Sequence, residues 1–296
     1  MKPVISASKR TDIPAFYLPW FIARLRAGFV EARNPIYRSG PPRRISLAPD
    51  DIAAVVFWSR NYGVFRRFHK QVDDLIGAEH LFFQFTINPP NALLEPDVPA
   101  TTQALDQIEF LAATYGAERI SWRYDPIVYW TINGMPGSNY DLSFFATMCQ
   151  HMHEIGVHRC FTSFADHYAK FRQRVHRYLP GMVLIDPPDG EKQRMGMELA
   201  TIAQAHGIVL YSCAEAVLEG VSGITKGACI DGAFMSRVLG RPVTQAKASD
   251  QRMPGREACG CTAAIDIGDY TAQECGYACL YCYANPNHRR FVAMSK

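Results

Sequence analysis

A regular alternation of short apolar runs with longer amphipathic stretches constrains this chain more than any other feature. The runs PVISA (3–7), AAVVFW (53–58), LFFQFTI (81–87), RISWRY (119–124), HRCFTSF (158–164), GMVLID (181–186) and GIVLYSC (207–213) read as buried strands. Helical patterns fall between them: about Phe16 to Ala27, a stretch carrying Val64, Phe65, Phe68 and Val72, residues 100–115, Tyr140 to Gly156, a helix after 164, and about Glu191 to His206. A repeated strand–helix order requires a parallel sheet with helical crossovers. About seven such units predict an α/β chain folded as a (β/α)7–8 TIM-like barrel rather than an open sheet. GFVEARNP and RRISLAP flank a turn at Ser39-Gly40-Pro41-Pro42 and read as a hairpin insertion. After Cys213 the rhythm stops. The expected division is a barrel over 1–213 and a loop-rich, cysteine-rich segment over 214–296 that folds back over the barrel mouth as part of one unit.

Composition narrows the function classes. The 296 residues are 48% hydrophobic and 20% charged, which is ordinary for a globular chain. A net charge of +3 is too mild to argue for nucleic acid. No apolar run approaches the length of a membrane span and the start has no signal-peptide pattern, so a cytosolic protein is expected. In that compartment the nine Cys point to metal ligands, catalytic groups or core fillers rather than disulfides.

Active sites of parallel barrels form at the carboxyl ends of the strands. Those ends are polar here, although strand-to-helix loops often carry polar helix caps for purely structural reasons. Arg10 and Asp12, and again Arg123 and Asp125, place opposite charges just past an apolar strand, where they are costly to bury without partners. With Glu215 they are the candidate catalytic residues, binding charges of substrate or cofactor. Asn61, Gln84, Thr86, Ser163 and, more weakly, Lys226 are candidate cofactor contacts. Asp166 and Asp186 also end strands.

The strongest motif is Cys275-Gly-Tyr-Ala-Cys279-Leu-Tyr-Cys282-Tyr283-Ala-Asn285. Closely spaced Cys on one loop can hold corners of a single iron–sulfur cluster. Four thiolates would close a [4Fe–4S] cluster, whereas three leave an iron open to substrate or cofactor. A zinc site completed by a fourth Cys or His is the alternative.

This spacing, with Tyr281 before the third Cys, resembles the signature of the radical S-adenosylmethionine enzymes, and CLYCYAN is similar to their spore-photoproduct-lyase-like branch. The resemblance implies that Cys275, Cys279 and Cys282 hold the cluster and that Tyr281 packs near the adenine. It also implies that S-adenosylmethionine binds the open iron and is cleaved to a 5′-deoxyadenosyl radical, with a reductant such as flavodoxin or ferredoxin and a small-molecule substrate. The Cys loop of that superfamily usually follows the first strand, whereas here it ends the chain, and no Gly-Gly-Glu-like run follows the second barrel strand. Over most of its length, in SASKRTDIPAFY, VVFWSRN, WRYDP, SFADHY, CAE, GACID, CGC, DIGDY and CLYCYAN, the chain resembles an uncharacterised domain-of-unknown-function family with a radical-SAM-like cysteine cluster at its C-terminus.

Cys213, Cys229, Cys259 and Cys261 are enough for a second site, a [4Fe–4S] cluster in preference to zinc, that would pin the tail to the barrel. They could instead be core thiols, or one could donate a fourth ligand to the first cluster. Cys149 and Cys160 read as core fillers. Two further functional readings remain open. A nucleic-acid repair or modification protein would use Arg66-Arg67-Phe68-His69-Lys70 and His288-Arg289-Arg290 on phosphates, although the first run fits a solvated helix face. A metal or cluster carrier or sensor would need no polar pocket.

Overall fold

A computed structural model describes residues 1–33, 40–248, 257–284 and 286. Its centre is an eight-stranded sheet in which every pairing is parallel. In chain order the strands are β1 (Val4–Ala7), β2 (Ala54–Ser59), β3 (Leu81–Thr86), β4 (Ile120–Ile127), β5 (Arg159–Phe164), β6 (Val209–Ser212), β7 (Ile224–Lys226) and β8 (Ala264–Asp266). Across the sheet they run β7-β6-β5-β4-β3-β2-β1-β8. The helices are α1 (Leu18–Ala27), α2 (Gly63–Ile76), α3 (Thr101–Tyr115), α4 (Leu142–Glu154), α5 (Ala169–Tyr178), α6 (Asp189–Ala205) and α7 (Gly232–Leu239).

Alternation along the strands sorts two faces. Ile5, Val55, Phe57, Phe83, Phe85, Trp122 and Leu210 form one buried core with the apolar stripes of α1, α2, α3, α4 and α6. On the other face the first residues of the strands are apolar. Val4, Ala54, Val56 and Phe82 pack on Ile230, Val243 and Met235 of α7. Farther along, that face turns polar and sulfur-rich.

Three expectations need correction. Strand pairing does not close the sheet into a barrel: among the described residues β7 and β8 remain its two edges. Loops bridge them instead, with Gly260 N donating to Gly227 O at 3.0 Å and Thr262 N to Ile230 O at 2.9 Å. The bridge needs glycine, since a Cβ on Gly227 would stand 2.0 Å from Ser212 O and one on Gly260 2.6 Å from Gly227 O. Second, residues 181–186 do not supply a barrel strand. Met182–Ile185 pairs antiparallel with Tyr129–Ile132 in a separate three-stranded sheet with Met135–Ser138. Third, the segment after Cys213 supplies β7 and β8 to the main sheet.

The expected hairpin is present as Phe29–Ala32 paired antiparallel with Arg43–Ser46, while residue 39 of its turn lies outside the described residues. α5 and the small sheet make a second core in which Phe171, Val175, Trp130 and Met182 seat Ala278 and Leu280 of the cysteine loop. Cys149 and Cys160 are fully buried in the main core. No helix among the described residues is long and apolar enough to cross a membrane.

Candidate active site

A cavity of about 290 Å³ opens at the carboxyl ends of the strands, and seven of the nine Cys line it. Its first wall is the segment after β1. Asp266, on β8, accepts from Ser6 Oγ at 2.9 Å, Ser8 Oγ at 2.6 Å and Lys9 N at 2.7 Å, and lies 3.7 Å from Arg10 Nε. Arg10 also donates to Gly268 O at 3.0 Å. One carboxylate therefore ties the edge strand to the candidate cation.

Asp12 caps the turn Ile13–Tyr17, accepting from Ala15 N at 2.9 Å, and also accepts from Ser59 Oγ at 2.8 Å and Arg60 N at 3.1 Å. Burial raises its carboxyl to about 7, although these hydrogen bonds oppose the shift. Glu215 accepts from Phe164 N at 3.0 Å, and burial raises it to about 8. Two carboxyl groups on the wall can therefore hold a proton at neutral pH.

Arg123 Nη2 donates to Asp125 Oδ2 at 2.6 Å, and Ser163 Oγ donates to the other oxygen of Asp125. Burial alone would push the Arg123 guanidinium down, but Asp125 and the neighbouring thiols hold it well above its ordinary value. Arg123 Nη1 donates to Cys229 Sγ at 2.9 Å and Nη2 to Cys213 Sγ at 3.4 Å. Cys213 Sγ lies 3.3 Å from Cys229 Sγ, and Cys261 shares side-chain hydrogen bonds with both Cys229 and Cys259. The hydrogen bond from Cys261 brings the Cys259 thiol down to about 7, against its burial. Lys9 stands over the Trp58 ring, 5.3 Å from its centre, and its charge favours the Cys259 and Cys261 thiolates.

The loop carrying Cys275, Cys279 and Cys282 forms the opposite wall. Ala278 takes a positive φ of 54° to make its tight turn. Arg174 of α5 holds the loop by its backbone, donating to Leu280 O at 3.1 Å, to Ala284 O at 2.7 Å and to Cys282 O. Leu280 N donates to Leu94 O at 2.9 Å, and Tyr17 Oη to Glu274 O at 2.7 Å. Tyr281 donates to Glu95 and accepts from Arg60, and Arg60 Nη1 pairs with Glu95 Oε2 at 2.6 Å. Burial would lower the Arg60 guanidinium, but Glu95 and Tyr281 hold it up. Burial also raises the Cys275, Cys279 and Cys282 thiols.

Arg10, Asp12, Thr86, Arg123, Asp125, Ser163, Glu215 and Tyr281 thus line the cavity with the seven Cys. Gln84 lies just beneath, its Nε2 donating to Cys229 O at 2.7 Å. Three more sequence expectations fall outside the lining. Asn61 turns its Oδ1 to Gly63 N at 2.8 Å, at the start of α2, because the chain bends there into the helix. Lys226 pairs with Glu219 at 2.8 Å, half exposed on an edge strand. Asp186 follows the antiparallel strand and pairs with Lys192 at 2.6 Å. The run from Arg66 to Lys70 belongs to α2, where Arg66 pairs with Asp106 in solvent. His288, Arg289 and Arg290 lie outside the described residues, as does Asn285.

The sequence assigned no role to Lys9, Glu95, Arg174 or Asp266, although Lys9 follows the first strand beside Arg10 and Asp266 opens the run DIGDY. Among the described residues no group of three or more His, Cys, Asp or Glu side chains is arranged so that, as it stands, it could hold a metal ion. The donor chemistry nevertheless divides into three thiols on one tight loop and four that touch in sequence, 213–229–261–259, across the cavity.

A family model described as a domain of unknown function, DUF1848, matches residues 4–284. No curated protein matches the chain. Two solved structures share distant similarity. One is a D-hydantoinase from a Bacillus sp. AR9, titled for its mercury inhibition, with TM-score 0.30 and 12% identity over 58% of this chain and 36% of that one. The other is a D-hydantoinase with TM-score 0.31 and 11% identity over 89% of this chain and 70% of that one. The chain thus spans about a third of the length of the first structure.

Proposed function

The chain belongs to the DUF1848 family, and from its site we propose an iron–sulfur enzyme of the radical S-adenosylmethionine type acting on a small polar substrate. The observation that carries this reading is the placement of Cys275, Cys279 and Cys282 on one backbone-clamped loop facing the same cavity as Arg123, Asp125 and Glu215. We read the sheet, with its edges bridged by loops, as a TIM-like barrel opened at one seam.

Cys275, Cys279 and Cys282 would hold a [4Fe–4S] cluster with one iron free of protein. Such a cluster, given an electron and S-adenosylmethionine, supplies homolytic cleavage of the sulfonium to methionine and a hydrogen-abstracting 5′-deoxyadenosyl radical. The cofactor carries the hard chemistry, and the chain's residues orient and shield. Arg174 fixes the loop carbonyls, so the three thiols keep one register. Arg60 and Glu95 lock the ring of Tyr281 at the cavity wall, where it can pack on an adenine. Arg10 and the Arg123–Asp125 pair present charge to the polar groups of the substrate and of the amino-acid part of the cofactor, with Thr86 and Ser163 beside them. Asp12 and Glu215, with carboxyls raised to about 7 and about 8, can give or accept a proton there. The chemistry calls for a reducing cytoplasm and a low-potential donor such as flavodoxin or ferredoxin.

The test is electron paramagnetic resonance of anaerobically reconstituted, dithionite-reduced protein. A reduced cluster signal that shifts on adding S-adenosylmethionine supports the open iron. A cluster signal that the compound leaves unchanged points to a carrier or sensor with a closed cluster.

A further inference from the structure

We propose that Cys213, Cys229, Cys259 and Cys261 hold a single divalent metal ion of the zinc class in tetrathiolate coordination, and that this ion staples the two edges of the sheet. The site is separate from the loop of Cys275 and does not depend on the reaction proposed for it.

Sulfur spacing separates one ion from a second cluster. A tetrahedral ion with metal–sulfur bonds of about 2.3 Å has sulfur–sulfur edges of about 3.8 Å. Cys213 and Cys229 stand 3.3 Å apart, and Cys229–Cys261 and Cys261–Cys259 are in hydrogen-bonding contact. The sulfurs therefore run as one contact chain, 213–229–261–259. Small side-chain rotations would close that chain around one ion. A cluster would spread the four thiolates over four irons and hold them farther apart.

Placement gives the ion its role. Cys213 follows β6 and Cys229 follows β7, on one edge of the sheet; Cys259 and Cys261 precede β8, on the other. The main-chain bridges Gly260–Gly227 and Thr262–Ile230 align the two pairs across the seam, and glycine at 227 and 260 allows that approach.

Charge fits as well. Four thiolates and a divalent ion leave two negative charges. Arg123 donates to two of the sulfurs, and Lys9 lies where its charge favours the other two. Phe161, Ala248 and the partly buried Trp58 and Tyr211 form an apolar shell around the set. Such a shell strengthens those charge interactions.

The experiment is metal analysis and zinc-edge X-ray absorption on full-length protein grown with zinc and iron and dialysed against EDTA. The proposal expects one zinc per chain with four sulfur neighbours. That zinc should persist when Cys275, Cys279 and Cys282 are all changed to Ala, and fall to none in Cys213→Ser and in Cys261→Ser. Loss of fold in those two variants would not obscure the result, because the wild-type absorption spectrum counts the sulfur ligands directly. Two clusters' worth of iron with no zinc would overturn the proposal, as would metal-free thiols at the four positions. Failure of the Cys275 loop to bind iron would bear on the proposed reaction and leave the zinc result standing.

Discussion

Arg123 Nη1 lies 2.9 Å from Cys229 Sγ, so the guanidinium in the middle of β4 is a hydrogen-bond donor to a sulfur at the seam of the sheet. The same side chain is paired with Asp125 and only 7% exposed. Removing one member of a buried pair leaves the other uncompensated. Arg123→Met is expected to lower the unfolding free energy by about 3 kcal/mol, a figure moderated by the partial exposure of Asp125. The double change Arg123→Met with Asp125→Leu should recover part of that loss. Urea unfolding of both proteins checks this.

Asp12 and Glu215 give a pH signature. Each carboxyl is raised in the fold, to about 7 and about 8, so the folded chain retains two protons that the unfolded chain has released. The stability from this retention is full below about pH 4 and is lost as pH rises, until both groups are ionised in the fold above about pH 8. Metal-free protein should become less stable from pH 5 to 8, each group steepening the slope by up to about 1.4 kcal/mol per pH unit. Asp12→Asn should flatten the slope up to about pH 7, and Glu215→Gln up to about pH 8. Equal slopes in wild type and both variants would contradict the assignment.

The glycine seam is equally direct. A methyl on Gly227 meets Ser212 O at 2.0 Å, whereas one on Gly190 meets nothing within 4 Å. Gly227→Ala should cost about 3 kcal/mol through forced displacement of the bridge. Gly190→Ala, in the first turn of α6, should stabilise by about 0.4–1 kcal/mol by restricting the unfolded chain. Thermal unfolding of the two variants separates them.

How much of this was legible in the sequence depended on where each residue finds its partner. The first five strands and β6 announce themselves as apolar runs between helical periods, and the cysteine loop by its spacing. β7 and β8 are three residues each, too short for a period to show. GMVLID has the composition of a barrel strand, but composition does not name the pairing partner. Its exposed Val183 and Ile185, alternating with better-buried Met182 and Leu184, fit a sheet covered on one face. Glu95 sits in a Pro-rich loop and Arg174 on a strongly basic helix, where each reads as solvated. Only the fold brings them to Tyr281 and to the cysteine loop.

Arg174 supplies the remaining prediction. Its three hydrogen bonds to loop carbonyls are charge-assisted, each contributing about 1.5–3 kcal/mol locally. Arg174→Ala should shorten the half-time of iron loss to a chelator by at least about tenfold, with Arg174→Lys in between, since about 1.4 kcal/mol corresponds to one tenfold step. Iron release followed in chelator excess reads this without requiring turnover.

The central claim rests on the three-thiol loop. Anaerobically reconstituted protein, reduced with dithionite and supplied with S-adenosylmethionine, should form 5′-deoxyadenosine, and Cys279→Ala should form none. Iron and sulfide at cluster stoichiometry with no 5′-deoxyadenosine, or product undiminished in Cys279→Ala, would contradict it.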